Sequence, residues 1–411
     1  MRIDEAYEEY TLPFSCANLY VNTLLKMGKE KKLNEYKNTP LGEGGIKVAH
    51  VIRVFSYGGA EVLLREFFEQ QEFKENIISD VFVLDHIKLG LKDDVTPNIR
   101  NFYYYKITTW RFLFEYIKFL AQIAKGKYDV VHIHLPVAGW MGIAAKLFTR
   151  KTKYIYSEHN LVTFYSKYNY YLSGLTYGFF DCIIFVSHEV GDTIRKVQKG
   201  WFFKTKNAVT ILNGIDTNKF LNVHHSQLNP AETLTIGLVA RFRPQKRVDR
   251  WVEVAAAIHK KKPNIKFIMV GDGPDDEMLR QKIAELNLTG IIKLTGKLSD
   301  TYTAYKEIDI FLLTSDFEGL PLALLEAMSC GCVPVVSNVG GIKQLDFDGI
   351  GYKFDEFDSE RIADKVICYT IHPAAFFEES RKARDFVIQH YSLTKQVNDI
   401  ISLYKNTLIE K

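Results

Sequence analysis

TSDFEGLPLALLEAMSCGCVPVVSNVGG, residues 314–341, is the stretch from which the architecture can be read. Pro321 stands where the first turn of a helix needs no N–H, and Gly331 stands where a helix ends. The segment from about Pro321 to Ser329 therefore reads as a short helix. Leu322, Ala323, Leu324, Leu325, Ala327 and Met328 make that helix apolar on every side, the composition of a buried element. IDIFLLTS (308–315) precedes it and VPVVS (333–337) follows it, both as strands. Apolar strands separated by helices mean a parallel sheet covered on both faces.

Glu326 interrupts this pattern. A carboxylate in a buried helix is costly unless something hydrogen-bonds it, so Glu326 should face a polar partner. Glu318 sits in the loop before the helix, beside Gly319, whose missing side chain lets a ligand approach the backbone. The helix N-terminus adds free N–H groups and positive dipole, suited to a phosphate or to sugar hydroxyls. The plain alternative is that Glu318 only satisfies the dipole and Glu326 is salt-bridged in the core.

Working outward, the same alternation continues on both sides. Upstream lie strands TLTIGLVARF (233–242), IKFIMVGDGP (265–274) and IIKLTG (291–296), with helices at 247–260, 276–286 and 301–307 between and after them. RFRPQKR (241–247) ends the first of these strands, placing Arg241, Arg243, Lys246 and Arg247 where a diphosphate would want cations, although loop cations are commonly just solvated. Further upstream come IKVAHVI (46–52), DVFVLD (80–85), YDVVHIHLP (128–136), KYIYSEH (153–159) and DCIIFVS (181–187), with helices at 62–70 and 110–125. YGGAE follows the first of these strands, and Gly58 and Gly59 there suit backbone approach to a phosphate at a helix N-terminus. The pair lacks the full Gly-x-Gly-x-x-Gly spacing.

Ligands bind parallel sheets at the carboxyl ends of the strands, where His132, His134, His159, Asn160 and Ser187 fall. His132 and His134 alternate within one strand, share a face and read as mainly structural. His159 lies in the crevice loop, and position alone leaves a catalytic and a structural role both open.

The turn formers of VTILNGIDTNKF (209–220) and the polar NVHHSQLNPAE mark a boundary. The expected organisation is an extension at 1–45, a Rossmann-like domain at 46–208, a second at 209–392 and a last helix at 393–411 free to pack back across the first domain. The extension is either a packed helical piece or a mobile arm. The aromatic stretch from Phe164 to Phe180 and WFFK (201–204) read first as core, with a sugar-stacking groove or a membrane interface as the second reading.

Composition narrows the function. A chain of 411 residues with 47% hydrophobic content expects two domains of roughly 200 residues and is no disordered chain. A net charge of +4 fits an anionic small ligand or an anionic membrane surface and gives no argument for nucleic acid. Five cysteines without a Cys-x-x-Cys pair suggest neither disulfides nor zinc. No apolar run reaches membrane-spanning length, and the acidic start MRIDEAYEEY is no leader, so a cytoplasmic protein is expected.

YGGAE, RFRPQKR, VGDGP and above all EGLPLALLEAMSCGCVPVV together resemble the retaining glycosyltransferases of family 4, from about Ile46 to the C-terminus. The resemblance implies a GT-B fold, two Rossmann-like α/β domains facing across a cleft. It also implies transfer of a hexosyl group from a UDP- or GDP-sugar to a saccharide or lipid-linked acceptor, with no cofactor and no required metal. Arg241 and Lys246 then match the pair that holds the donor diphosphate. Glu318, with Gly319 and Leu320 beside it, matches the carboxylate near the transferred sugar, and Glu326 the one that accepts from ribose hydroxyls. Gly58, Gly59 and Gly273 match glycines at the donor, and His159 the histidine near the sugar. GGIKQL (340–345) departs from the family, which often has proline and glutamate there. Asp346-Phe347-Asp348 looks like a metal-binding Asp-x-Asp but lies outside the expected place. The competing readings are a nucleotide-sugar epimerase or phosphorylase on the same fold, and a non-catalytic sugar- or nucleotide-binding protein. A dehydrogenase is disfavoured because neither half has a complete dinucleotide fingerprint.

Overall fold

The computed structural model describes residues 45–55, 59–87, 99–107, 112–159, 162, 165–198, 207–221, 229–298, 300–347 and 349–409. Gly58, Asn160, Phe164, Trp201 to Lys204, Asp348 and the first 44 residues lie outside them.

Among the described residues, two all-parallel sheets organise the chain. The first has seven strands: β1 (Ile46–Phe55), β2 (Ile77–Ile87), β3 (Ile99–Tyr104), β4 (Val130–His134), β5 (Lys153–Glu158), β6 (Cys182–Phe185) and β7 (Ala208–Thr210). Their spatial order is β3-β2-β1-β4-β5-β6-β7. The second has six: β8 (Thr235–Val239), β9 (Lys266–Val270), β10 (Ile292–Leu294), β11 (Ile310–Leu313), β12 (Val333–Ser337) and β13 (Tyr352–Phe354), ordered β10-β9-β8-β11-β12-β13. Each order reverses once, between β1 and β4 and between β8 and β11. Loops leaving the strands on either side of a reversal diverge and open a crevice.

The helices of the first half are α1 (Gly59–Glu69), α2 (Gln71–Asn76), α3 (Phe112–Gly126), α4 (Pro136–Gly142), α5 (Lys167–Thr176) and α6 (His188–Val197). Those of the second are α7 (Val248–Lys261), α8 (Asp276–Glu285), α9 (Tyr302–Tyr305), α10 (Leu322–Ser329), α11 (Ser359–Ile371) and α12 (Pro373–Tyr391); α13 (Leu393–Ile409) ends the chain. Central strands are buried along their length, as a sheet covered on both faces requires: β4, β6, β11 and β12 expose no residue. Trp251 of α7, fully buried, anchors its helix by donating Nε1–H to the carbonyl of Leu312 at 3.1 Å.

α10 is the opening stretch of the sequence. Pro321 is its N-cap, and Gly331 at φ +90° closes it. The Cys332 N–H bonds the Ala327 carbonyl at 2.9 Å and the Gly331 N–H the Met328 carbonyl at 3.0 Å, a Schellman end that needs a glycine at that position.

The structure adds elements that periodicity did not show. β3 and β13 are edge strands, only partly buried, so neither carries a continuous apolar run. Ala208–Thr210 pairs with β6, so the first sheet extends past residue 208 into the segment read as the domain boundary. α13 packs on the first sheet, where Val397, Ile401 and Tyr404 share a core with Val48, Ile52 and Val130. The chain thus crosses between the halves twice, and the crossings are bonded to each other. The Ile215 N–H donates to the Tyr391 carbonyl and the Leu393 N–H to the Ile215 carbonyl, both at 2.8 Å. A Cβ on Gly214 would lie 2.6 Å from the Ser392 carbonyl oxygen, so only glycine allows this approach.

Candidate active site

The second sheet's reversal brings together two loops that lie far apart in sequence. Lys246 follows β8 and Glu318 follows β11. The Lys246 ammonium donates to both oxygens of the Glu318 carboxylate, at 2.6 and 2.8 Å. Glu318 is buried, at 5% exposure, and also accepts from the Ser315 hydroxyl. Burying a carboxylate demands such pairing, and a buried pair is held in one geometry.

The surrounding backbone fixes that geometry. Pro244–Lys246 is a single 3-10 turn, and Arg247 after it takes a left-handed φ of +47°. The Asp316 N–H donates to the Gln245 carbonyl at 2.9 Å and the Thr314 hydroxyl to the Arg247 carbonyl at 3.0 Å, so the two loops are laced together. The four cations of RFRPQKR separate into different roles. Arg247 is taken up by Asp249 at 2.8 Å and Asp316 at 3.2 Å, which also holds Arg250 at 2.7 Å. Arg241 and Arg243 are exposed and make no ion pair among the described residues. Lys246 faces Glu318.

Glycines sort in the same way. A Cβ on Gly273 would sit 2.1 Å from the Phe242 carbonyl oxygen and one on Gly271 1.8 Å from that of Ala240. VGDGP is therefore pressed against the strand end that carries Arg241, a packing reason for Gly273 that needs no ligand. Gly319 is the opposite case: a Cβ there would meet nothing within 4 Å, and Leu320 beside it is half-buried. Gly340, at φ +48°, and Gly341 back this loop, with added Cβ atoms 2.0 Å from the Glu318 carbonyl oxygen and 2.1 Å from that of Gly319. The Gly341 N–H also donates to the Glu318 carbonyl at 2.7 Å. The segment departing from the family pattern is thus the support under the carboxylate loop.

Glu326 is half-buried and accepts a 2.8 Å hydrogen bond from the Tyr305 hydroxyl. Burial pushes its carboxyl up to about 7, against the pull of Tyr305 and Lys219, while the charge of Glu66 on α1 adds to the rise. Glu326 therefore faces the boundary between the halves. It shares no hydrogen bond with the Lys246–Glu318 pair.

The first half presents uncharged groups at its own reversal. Gly59 opens α1, the first helix described after β1. His159, half-buried after β5, places Nε2 3.5 Å from Nδ1 of His134, and burial pushes it down to about 4. His132 is structural: Nδ1 meets the Tyr404 hydroxyl at 2.6 Å and Nε2 the Ser157 hydroxyl at 2.7 Å, tying α13 to the sheet. Its ring, with those of His50 and His134, forms the one group of metal-ligand spacing among the described residues, but both of its nitrogens are already engaged. Ser187 caps α6, accepting from the Val190 N–H at 3.2 Å.

Sequence reasoning missed the setting of Glu158, next to His159. This carboxylate is fully buried, and three phenols donate to one of its oxygens: Tyr156 at 3.0 Å, Tyr165 and Tyr177. Burial and then the Glu158 charge push all three phenols well above their ordinary range. Two of these tyrosines come from the aromatic stretch, which is here a clamp on the residue before His159.

Two family descriptions together cover residues 57–383. Residues 57–219 match Glycosyltransferase Family 4 and residues 220–383 match Glycosyl transferases group 1. The N-acetyl-alpha-D-glucosaminyl L-malate synthase of Bacillus anthracis is 25% identical over 86% of this chain and 95% of its own. The UDP-Gal:alpha-D-GlcNAc-diphosphoundecaprenol alpha-1,3-galactosyltransferase of Escherichia coli is 25% identical over 89% of this chain and 98% of its own. Among solved structures, Anabaena Alr3699/HepE in complex with UDP superposes with a TM-score of 0.72 at 19% identity, covering 88% of this chain and all of that one. With two parallel sheets, each reversing once, and both halves matched in sequence, the chain belongs to the GT-B glycosyltransferases.

Proposed function

We propose that this glycosyltransferase moves a hexosyl group from a UDP- or GDP-sugar to a hydroxyl acceptor, with retention at the anomeric carbon. Its place is the assembly of a cell-surface polysaccharide or glycolipid on a lipid-linked acceptor, at the cytoplasmic side of a membrane. The relatives' printed activities and the UDP bound in the Anabaena structure support this reading. The observation that carries it is Lys246, placed at the crevice and held by a buried carboxylate.

Breaking the anomeric bond puts negative charge on the departing diphosphate and positive charge on the sugar. Fixed cations beside the phosphates are then the largest catalytic contribution. Lys246 supplies one, oriented by Glu318, and Arg241 the other, exposed at the same strand end and without an ion pair among the described residues. The open side of Gly319 leaves room for the sugar, and Glu326 accepts from the ribose. The acceptor hydroxyl attacks on the leaving-group face and passes its proton to a donor phosphate oxygen. His159, neutral at pH 7, donates or accepts a hydrogen bond at the sugar. The two cations do the work a metal would otherwise do, so turnover needs none.

A panel of UDP- and GDP-sugars, read by released nucleoside diphosphate, tests the reading. Release must depend on acceptor, survive a chelator, and give a product whose anomeric coupling matches the donor. Equal release without acceptor, or binding of every donor without turnover, overturns it.

A further inference from the structure

Among the described residues, ten of the sixteen large apolar side chains that stand exposed lie between Phe112 and Phe179. They occupy three neighbouring pieces of the first half. α3 is apolar on two sides. Phe119 and Ile123 are buried against the sheet, while Leu113, Phe114 and Ile117, spaced for the opposite face, are 66%, 50% and 55% exposed. α5 is inverted: its buried residues are Ser173 and Gly174, whereas Tyr168, Tyr171 and Leu175 point outward at helical spacing. Between them, the 3-10 segment Ile143–Phe148 ends in Leu147 and Phe148, 78% and 65% exposed.

Side-chain contacts join these pieces into one surface. The Tyr116 hydroxyl of α3 donates to the Met141 carbonyl of α4 at 2.7 Å. Trp140 of α4 meets Tyr168 of α5 edge-on, with centroids 6.4 Å apart. Lys146 donates to the Phe179 carbonyl, just past α5, at 2.8 Å. A contiguous apolar surface of this extent is an interaction site.

Charge identifies the occupant. Residues 112–180 hold eight lysines and arginines against three acidic side chains, one of which is the buried Glu158. This stretch therefore carries +5, more than the whole chain's +4. Lys118, Lys151 and Lys167 stand exposed among the apolar side chains, and the Lys118 ammonium lies 4.2 Å over the Phe114 ring. Aliphatic tips, tyrosines and lysines on one face match the acyl, interfacial and anionic layers of a lipid leaflet.

We propose that this face, formed by α3, the segment Ile143–Phe148 and α5, docks the enzyme on a membrane rich in anionic lipid. The proposal deepens the reading of a lipid-linked acceptor, and Tyr165 and Tyr177, which clamp Glu158 beside His159, flank the docking helix α5.

Flotation of the full chain, without donor or acceptor, on vesicles of phosphatidylcholine with phosphatidylglycerol tests it, against phosphatidylcholine alone. Binding to the anionic vesicles is expected and should weaken with salt. The triple change Leu113→Ser, Phe114→Ser, Ile117→Ser should lower it by about tenfold or more, as should Lys118→Glu with Lys151→Glu and Lys167→Glu. Far-UV dichroism and nucleoside diphosphate release with a soluble acceptor should stay unchanged, because every altered side chain is exposed. Failure of the transferase reading would remove turnover and leave flotation intact. Wild-type protein that stays with the bulk solution at every vesicle composition overturns the proposal. So does a concentration-dependent dimer, abolished by the triple change, in protein that does not float.

Discussion

The two sheets handle charge in opposite ways. At the reversal of the second, Lys246 and Glu318 meet as a formal ion pair, laced in place by backbone bonds and backed by Gly340 and Gly341. At the reversal of the first, burial strips His50, His132, His134 and His159 of charge, and the buried Glu158 is wrapped by phenols. A reaction that separates charge can be run by one half supplying fixed charge while the other supplies shape and hydrogen bonds. On the proposed mechanism, the electrostatic work falls to the C-terminal half.

The strongest test sets the halves against each other. Lys246→Ala should lower kcat by about 100- to 1000-fold, as loss of one preorganised donor does. His159→Ala should cost less, about 10- to 100-fold, because a neutral imidazole leaves no charge to lose. Steady-state rates on the same donor decide it, and the reverse ranking breaks the comparison. Next in size is Glu158→Gln. The three phenols converge on one oxygen of Glu158, and a neutral amide oxygen accepts more weakly than a carboxylate oxygen, so about 1–3 kcal/mol of stability should be lost. A urea midpoint that does not move would mean the phenols contribute nothing to the first half.

Glu326 gives a pH test. Its carboxyl is raised in the folded chain from the usual 4.5 to about 7, so its stabilising contribution is full below about 4.5 and is lost as pH rises through about 7. Thermal midpoints should decline across that window by the equivalent of about 1–3 kcal/mol, and Glu326→Gln should flatten the decline. Donor binding should run the other way, a few-fold tighter at pH 8 than at pH 6, because only the ionised carboxylate accepts on both oxygens. The smallest expected effect is that of Gly319→Ala. Its Cβ would meet nothing, so stability should change by less than about 0.5 kcal/mol, while donor KM rises if the sugar occupies that space.

Local chemistry made part of this legible. The helix from Leu322 to Ser329 could be read because Pro321 and Gly331 mark its ends by their own backbone restrictions, and Glu326 could be singled out because it stands alone on an apolar helix. Strand–helix alternation carried the rest of the framework. What was not legible depends on residues that meet only through folding. Lys246 and Glu318 are 72 residues apart, and nothing in either loop announces that one ammonium will reach both oxygens. Arg247 looked like its neighbours until its left-handed backbone turned it to Asp249 and Asp316. Tyr305 reaches Glu326 from another helix, and Gly340 and Gly341 looked like a loop out of pattern because the surface they support comes from residues 318–319. Ala208–Thr210 is three residues long, too short for alternation to show which sheet it would join.

The double crossing also sets an order of manufacture. Strands β1 to β7 leave the ribosome before α13, so the core around Val48, Ile52 and Val130 first forms without Val397, Ile401 and Tyr404. At common elongation rates the lid arrives roughly 10–40 s after the sheet it closes. The half born first is thus completed only after the second half has been made.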